Sequence, residues 1–482
     1  MSRASILISS FFIVCSILSG APGVSFAQTA PEEEDARDDA VDSSFGEVRA
    51  RVHASLQVAR DATAPIQADV SEVDLPANKP EEDEPEEISE EEMLALEAAL
   101  GEDAASEDGD DAGGVPAASS PNAATRAGRV LQSMNPDMAF ILDVAGAGFK
   151  GEPLQLGAHD PNTNGFNLQQ LELHVESTVD PFFTFTANIV FAQFGVEVEE
   201  AYATTLALPA NLQVRAGQFL TKMGRLNPTH PHSWHFVDQP LVNGKFFGGE
   251  GSRGLGAEAS WLLPLPWFTE LIASTTMADG ACCARSFYGG QNLGVDGPAD
   301  LLYTVRLEQF FEITPSFSAL FGVSSQFGPN PTGAGNRTEI YGSDLYLRWR
   351  PVNNPQRRSV SLQVEAMQRR RQIPFGLLVD QGGYVDLVAQ LNQRFEVGGR
   401  YEFVTGIDAT DTDGDGAGED TLDPEWVGNV NSGALQVTFY PSHFSRLRLQ
   451  GSYDRRQWVE EPTLAAILAL EVLVGAHGAH DF

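Results

Sequence analysis

The chain has 482 residues, with 67 acidic against 30 basic side chains and a formal net charge of −37. That balance excludes the basic footprint of a nucleic-acid-binding protein. Three cysteines exclude a disulfide framework, and nothing in the composition excludes a membrane protein.

The first 27 residues read as a cleaved secretory signal. Arg3 gives a short positive start, "ILISSFFIVCSILSG" an apolar core, and "SFA" a small-residue end before Gln28. Val14 in front of Cys15 is a poor lipoprotein context. Cleavage leaves Cys282 and Cys283, adjacent in sequence, as two free thiols or a vicinal disulfide. Residues 28–130 follow as an acidic, largely disordered periplasmic segment. Runs such as "PEEEDARDD" and "EEDEPEEISEEE" cannot bury enough apolar surface to order a core. Within them "ISEEEMLALEAALG" could form a short amphipathic turn carrying Met93, Leu94 and Leu96.

From about residue 135 the pattern becomes strict alternation. In "LQQLELHVE", Leu171, Leu173 and Val175 oppose Gln170, Glu172, His174 and Glu176. In "YGSDLYLRWR", Tyr341, Leu345, Leu347 and Trp349 oppose Asp344, Arg348 and Arg350. "SVSLQVEA" and "FSRLRLQGSY" repeat the pattern, with Arg446, Arg448 and Gln450 on the polar side of the second. Apart from the signal, no apolar stretch is long enough for a transmembrane helix, and only a closed barrel spans a membrane with strands. The expected fold is therefore all-β: a transmembrane antiparallel β-barrel of about 16 strands over residues 135–482. Turns such as "LPANL", "LPLPW" and "YPSH" alternate with longer loops near 149–164, 220–251, 277–300, 328–337, 371–380 and 408–431. Expected pore-lining residues are Arg215, Arg306, Arg348, Arg400, Arg446 and Arg448, mixed with Glu172, Glu308, Glu365 and Glu402. Glu197, Glu199 and Glu471 fall on the same face. Such mixing gives a polar aqueous lumen and no readable ion preference.

The loop "NPTHPHSWHFVDQP" carries His230, His232, His235 and Asp238. Imidazole and carboxylate suit zinc, which makes these four the candidate metal ligands. Pro228, Pro231 and Pro240 favour extended segments that would hold the histidines apart. The other reading is a stiff loop folded inward to narrow the pore. There is no G-x-S-x-G, P-loop, H-E-x-x-H or C-x-x-C motif, so no enzyme and no cofactor other than zinc is expected. "DTDGDGAGEDTLD" opens like a calcium loop with Asp411, Asp413 and Asp415, but Leu422 stands where that pattern requires Glu. His477 and His480 in "HGAH" read as a solvated tail or a second zinc contact. Arg369–Arg371 in "QRRRQ" read as a basic cluster near the rim, facing lipopolysaccharide phosphates, a negative substrate or solvent.

Several stretches also resemble a known group. "GFNLQQLELHVESTVDPFFTFTANIVF", "VEVEEAY", "LQVRAGQFLTKMGRLN" and "HPHSWHFVDQPL" resemble bacterial outer-membrane proteins of the phosphate-selective porin-like type. They are most similar to the branch labelled zinc-regulated TonB-dependent outer-membrane receptors, as is the ending "GAHGAHDF". The resemblance covers about 135–482 and implies the outer membrane of a Gram-negative bacterium. A terminal aromatic, Phe482, resembles the assembly signal of such barrels. A TonB-dependent receptor would need a folded plug and about twenty-two strands, and the acidic segment is no such plug. The expectation is thus a porin-like channel for passive diffusion of small hydrophilic solutes or ions. A zinc-responsive uptake receptor and a structural anchor are its alternatives. Expected partners are the outer membrane, lipopolysaccharide, the solutes themselves and a homotrimer.

Overall fold

The computed structural model describes residues 136–475 apart from 193–194, 281, 292, 354–357, 375 and 408–421. The signal, the acidic segment, Asp411, Asp413, Asp415, His477, His480 and Phe482 lie outside the described residues. The two-residue period yields sixteen strands among those described: β1 (Asp137–Lys150), β2 (Gly165–Thr178), β3 (Phe183–Ala192), β4 (Gly195–Thr205), β5 (Leu212–Leu220), β6 (Arg253–Leu262), β7 (Phe268–Met277), β8 (Leu301–Thr314), β9 (Phe317–Pro329), β10 (Arg337–Trp349), β11 (Ser359–Ile373), β12 (Gly376–Gln390), β13 (Phe395–Val404), β14 (Val430–Ser442), β15 (Ser445–Arg456) and β16 (Thr463–Gly475). Each pairs antiparallel with its sequence neighbour, and β1 closes on β16 with Ile141 opposite Leu473. Closure gives every strand two partners, which is what lipid demands of a sheet. No described helix is long and apolar enough to cross a membrane.

The alternation sorts side chains by face. Leu142, Leu255, Leu387, Leu435 and Leu468 are exposed on the outside. Phe183, Phe268, Phe310, Trp349 and Phe395 ring the short-turn end, while Tyr303, Tyr401 and Tyr453 ring the other. On β10, Tyr341 and Trp349 stand roughly 27 Å apart at ~3.4 Å per residue. At a tilt of ~40° that is roughly 20 Å along the barrel axis, close to the apolar band of such barrels. Gln170, Glu172, Asp344, Glu365, Arg369 and Arg448 are buried on the inner face.

At one end short turns join the strands. At the other lie the stretches between β1 and β2, β5 and β6, β7 and β8, β9 and β10, β13 and β14, and β15 and β16, while β3 ends at Ala192 with β4 starting at Gly195. The expected loop near 371–380 is corrected: β11 runs to Ile373 and β12 starts at Gly376. A ladder of ion pairs explains it. Arg369 Nη2 lies 2.6 Å from Asp380 Oδ2 across this hairpin, and Lys245 Nζ lies 2.8 Å from the same carboxylate. The "QRRRQ" cluster is likewise corrected. Arg369 and Arg371 are buried in the lumen and pair with Asp423, and Arg370 alone of the three faces outward.

The apolar core sits inside the barrel, towards the long-loop end. Leu154, Met223, Val242, Phe246, Phe287, Tyr384 and Trp426 pack there, drawn from four loops and the walls. Cys282 and Cys283 are joined by a disulfide, and their carbonyls accept the Glu250 and Arg253 amides at 3.1 and 3.3 Å. The loop 278–300 is thereby tied to the end of loop 221–252.

Candidate functional site: the inward loop and the charged wall

Residues 221–252 leave the wall through a closed neck. Thr221 N donates to Ser252 O at 2.9 Å, and Asn227 Nδ2 donates to both the Thr221 and Ser252 carbonyls at 2.8 and 2.9 Å. Gln326 on β9 adds bonds to the hydroxyls of Thr221 and Ser252. With its ends pinned, the loop turns into the lumen. Gly224 makes the first bend at φ +71°, and a Cβ there would stand 2.6 Å from Glu365 Oε2. That clearance lets Glu365 accept the Arg225 and Leu226 amides at 3.0 and 2.7 Å.

The prolines keep the next stretch extended, so its backbone groups have no ladder partner and must be met by the wall. Arg446 donates to the carbonyls of His232 and Trp234 at 2.5 and 2.9 Å. Arg448 donates to Trp234 and Phe236 at 3.2 and 3.1 Å. Val237 N reaches Gln450 Oε1 at 2.8 Å. A short helix, α1 (Leu241–Phe247), then packs wholly buried, its first amide on Glu402 Oε2 at 2.7 Å. The loop thus touches β2, β4, β9, β11, β13 and β15, crossing the lumen between facing walls.

The four expected metal ligands are not brought to one point. His230 and His232 stack with ring centroids 5.7 Å apart. His235 turns away to Glu396 at 3.1 Å, and Asp238 pairs with Arg400 and Gln450. His230 joins a different group. Its Nδ1 lies 3.0 Å from Glu199 Oε2, and its Nε2 2.8 Å from Glu200 Oε2. Glu199 Oε1 and Glu250 Oε1 in turn face His159 Nε2 at 3.0 and 3.2 Å. Burial alone would strip the proton from both rings. Glu199 and Glu250 beside His159, and Glu172, Glu199 and Glu200 beside His230, reverse this and hold both well above the ordinary histidine range.

Sequence reasoning missed His159, Glu200 and Glu250. A histidine inside a long loop and the "EE" doublet on β4 were the available signals, but strict alternation sends one of two adjacent glutamates outward. A β-bulge defeats that rule. Asn188 pairs with Glu200 and Ile189 with Val198, leaving Glu199 extra, and both glutamates are buried in the lumen.

The ten expected pore-lining residues all stand on the inner face, though most meet a partner and not open space. Arg215 pairs with Glu258 at 2.8 Å, Arg306 with Asp344 and Glu308, Arg400 with Asp238 and Glu402, and Arg446 and Arg448 with Glu471. Glu172 receives His232 at 3.0 Å. Open space remains on the short-turn side of the loop, as a cavity of about 270 Å³ bordered by Arg225, Arg348, Asp386, Glu396, Arg400 and Arg446, among others. Among the described residues neither Arg225 nor Arg348 lies in an ion pair. Arg225 instead covers the Tyr346 ring at 3.9 Å.

This architecture is shared with solved outer-membrane barrels. The chain is similar to Pseudomonas putida OprB at high pH, with a TM-score of 0.50 and 11% identity over 73% of this chain and 96% of that one. It is also similar to the outer membrane channel DcaP of Acinetobacter baumannii, with a TM-score of 0.47 and 13% identity over 71% and 97%. The anion-selective porin from Comamonas acidovorans gives 0.45 and 12% over 70% and 99%. No family model matches the chain. In sequence it is 30% identical over 387 residues to an uncharacterized protein of Aquifex aeolicus (strain VF5), covering 72% of this chain and 80% of that one. A porin-type barrel in structure, the chain belongs by sequence to the family of this Aquifex aeolicus protein.

Proposed function

We propose that the chain is a porin-like channel of the outer membrane, its short turns towards the periplasm, through which small hydrophilic solutes and ions diffuse passively. The reading rests on the loop 221–252, which crosses a charged lumen, is stitched to facing walls, and leaves beside it a cavity of about 270 Å³ bordered by both charged and apolar side chains. A loop held this way narrows the lumen. The outward Arg370, on the long-loop side of β11, suits contact with lipopolysaccharide phosphates. Assembly as a homotrimer belongs to the same reading.

Energised uptake with a zinc response is the rival reading. Sixteen strands, against about twenty-two in plugged transporters, favour the passive one. The anchor reading gives no role to this cavity. Planar-bilayer conductance of the refolded full chain tests all three, with and without zinc, in wild type and in the His230→Ala/His232→Ala/His235→Ala variant. Steady conductance unaltered by zinc supports the channel and removes the receptor. A silent bilayer sinks the channel.

A further inference from the structure

We propose that His159, Glu250, Glu199, His230 and Glu172 form a two-metal site for a divalent cation of the zinc class, with Glu199 as the bridging carboxylate. The proposal goes beyond the channel reading and stands apart from it. Two groups of three donors share Glu199: His159 with Glu199 and Glu250, and His230 with Glu199 and Glu172, each group lying within 4.8 Å. Ligand bonds of ~2.0–2.2 Å in a tetrahedral arrangement put donor atoms roughly 3.3–3.5 Å apart. Here His159 Nε2 lies 3.0 and 3.2 Å from its two carboxylate oxygens. His230 Nδ1 lies 3.0 Å from Glu199 and 3.9 Å from Glu172. These spacings bracket the value a bound ion needs.

Three further observations point the same way. First, the outer nitrogen of each ring already faces an acceptor: His159 Nδ1 the Gln169 carbonyl at 3.1 Å, His230 Nε2 the Glu200 carboxylate at 2.8 Å. With its far nitrogen held by a carbonyl or carboxylate, each imidazole is oriented as metal-bound histidines are, and a metal ion would take the place of the proton on the near nitrogen. Asn188 Nδ2 holds Glu200 at 3.0 Å and also lies 2.8 Å from His230 Nε2. Second, Glu172 Oε2 takes His232, while its fully buried Oε1 is aimed into the group with no hydrogen-bond donor among the described residues and His230 Nδ1 at 3.9 Å. A carboxylate oxygen so placed has a coordination position to give to a cation. Third, bulges in β2 and β4 deliver the parts. One turns both Gln169 and Gln170 inward, and the other does so for Glu199 and Glu200.

The chemistry selects the ion. Imidazole nitrogen disfavours calcium and magnesium, and a mixed nitrogen and carboxylate set suits zinc. Three protein donors per ion leave a fourth position open. A cavity of about 30 Å³ bordered by His159, Glu199, His230 and Glu250 adjoins the group and has room for water. The ions would also tie the loops 151–164 and 221–252 to strands β2 and β4.

The test counts metal on the folded full chain in detergent. The protein is stripped with chelator, dialysed against dilute zinc, and measured by elemental mass spectrometry. Two equivalents per chain are expected in wild type, in His235→Ala and in His477→Ala/His480→Ala. Glu250→Gln should hold one, and Glu199→Gln less than one. Cobalt as a probe should give tetrahedral absorption bands that Glu199→Gln loses. Heat-modifiable gel migration checks that each variant is folded, and Glu250→Gln serves if Glu199→Gln is not. Wild type without metal overturns the proposal. So does zinc retained at the wild-type level in Glu250→Gln, or zinc lost in the tail variant. Conductance is not the readout, so a silent bilayer leaves this site standing and a metal-free protein leaves the channel standing.

Discussion

Arg448 on β15 donates to the Phe236 carbonyl at 3.1 Å, joining positions 212 residues apart across the lumen. The same guanidinium lies 3.2 Å from Asp143 and 3.4 Å from Glu471. One side chain therefore seals the barrel's closing strands and holds down the loop. Arg448→Met should strand the buried Asp143 carboxylate and the Phe236 carbonyl, while Glu471 keeps Arg446, costing about 3–5 kcal/mol. Denaturant midpoints and limited proteolysis within 227–240 check this, with faster cleavage expected in the variant.

Gly224 sets where the loop enters. Its φ is +71°, and a side chain there would start 2.6 Å from Glu365 Oε2. Gly224→Val should therefore shift the loop off Glu365 at a cost of about 1–3 kcal/mol. Conductance should rise, and become noisier, as the loop shifts. Gly148→Ala, where nothing lies within 4 Å, should leave both stability and conductance unchanged.

Arg225 and Arg348 border the cavity without an ion-pair partner among the described residues, whereas Arg400 and Arg446 beside them are paired. Unpaired charge sets the field that a permeating ion meets. Arg225→Gln and Arg348→Gln should each move the reversal potential in a salt gradient towards cation preference. Together they should move it further.

Acid should act through Asp423. Burial opposes its charge, and Arg369, Arg371 and Arg285 outweigh burial and hold the carboxyl below the ordinary aspartate range. An aspartate held low contributes stability above its unfolded value of ~3.9 and loses it as pH falls through the folded one. The attachment of 422–429 to the wall should therefore be constant around neutral pH and weaken only in acid, below about pH 4. Asp423→Asn should reproduce the acid behaviour at neutral pH, read as protease access to this segment.

The barrel was legible because its physics is local. A two-residue period sends Leu447 and Leu449 out and Arg446 and Arg448 in whatever the rest of the chain does. The inward course of 221–252 was legible as a choice between two readings. Its cause was not, since it depends on Glu365, Glu402 and Arg448 far along the chain. Arg369 and Arg371 misled for the same reason: a basic run suggests a rim, and only Asp380 and Asp423 make it an interior. The histidine motif misled by proximity in sequence. His232 and His235 are neighbours there, but the extended backbone sends one to Glu172 and the other to Glu396. His159 and Glu250 come to His230 only through two bulges and two loops.

We propose that residues 221–252 set the aperture of a conducting barrel. Single-channel conductance of wild type, beside a variant with 223–250 replaced by a short glycine-rich turn, measures this. Small, steady steps are expected in wild type and steps several-fold larger in the variant. Equal steps in the two proteins, or silence in both while each is folded, would refute it.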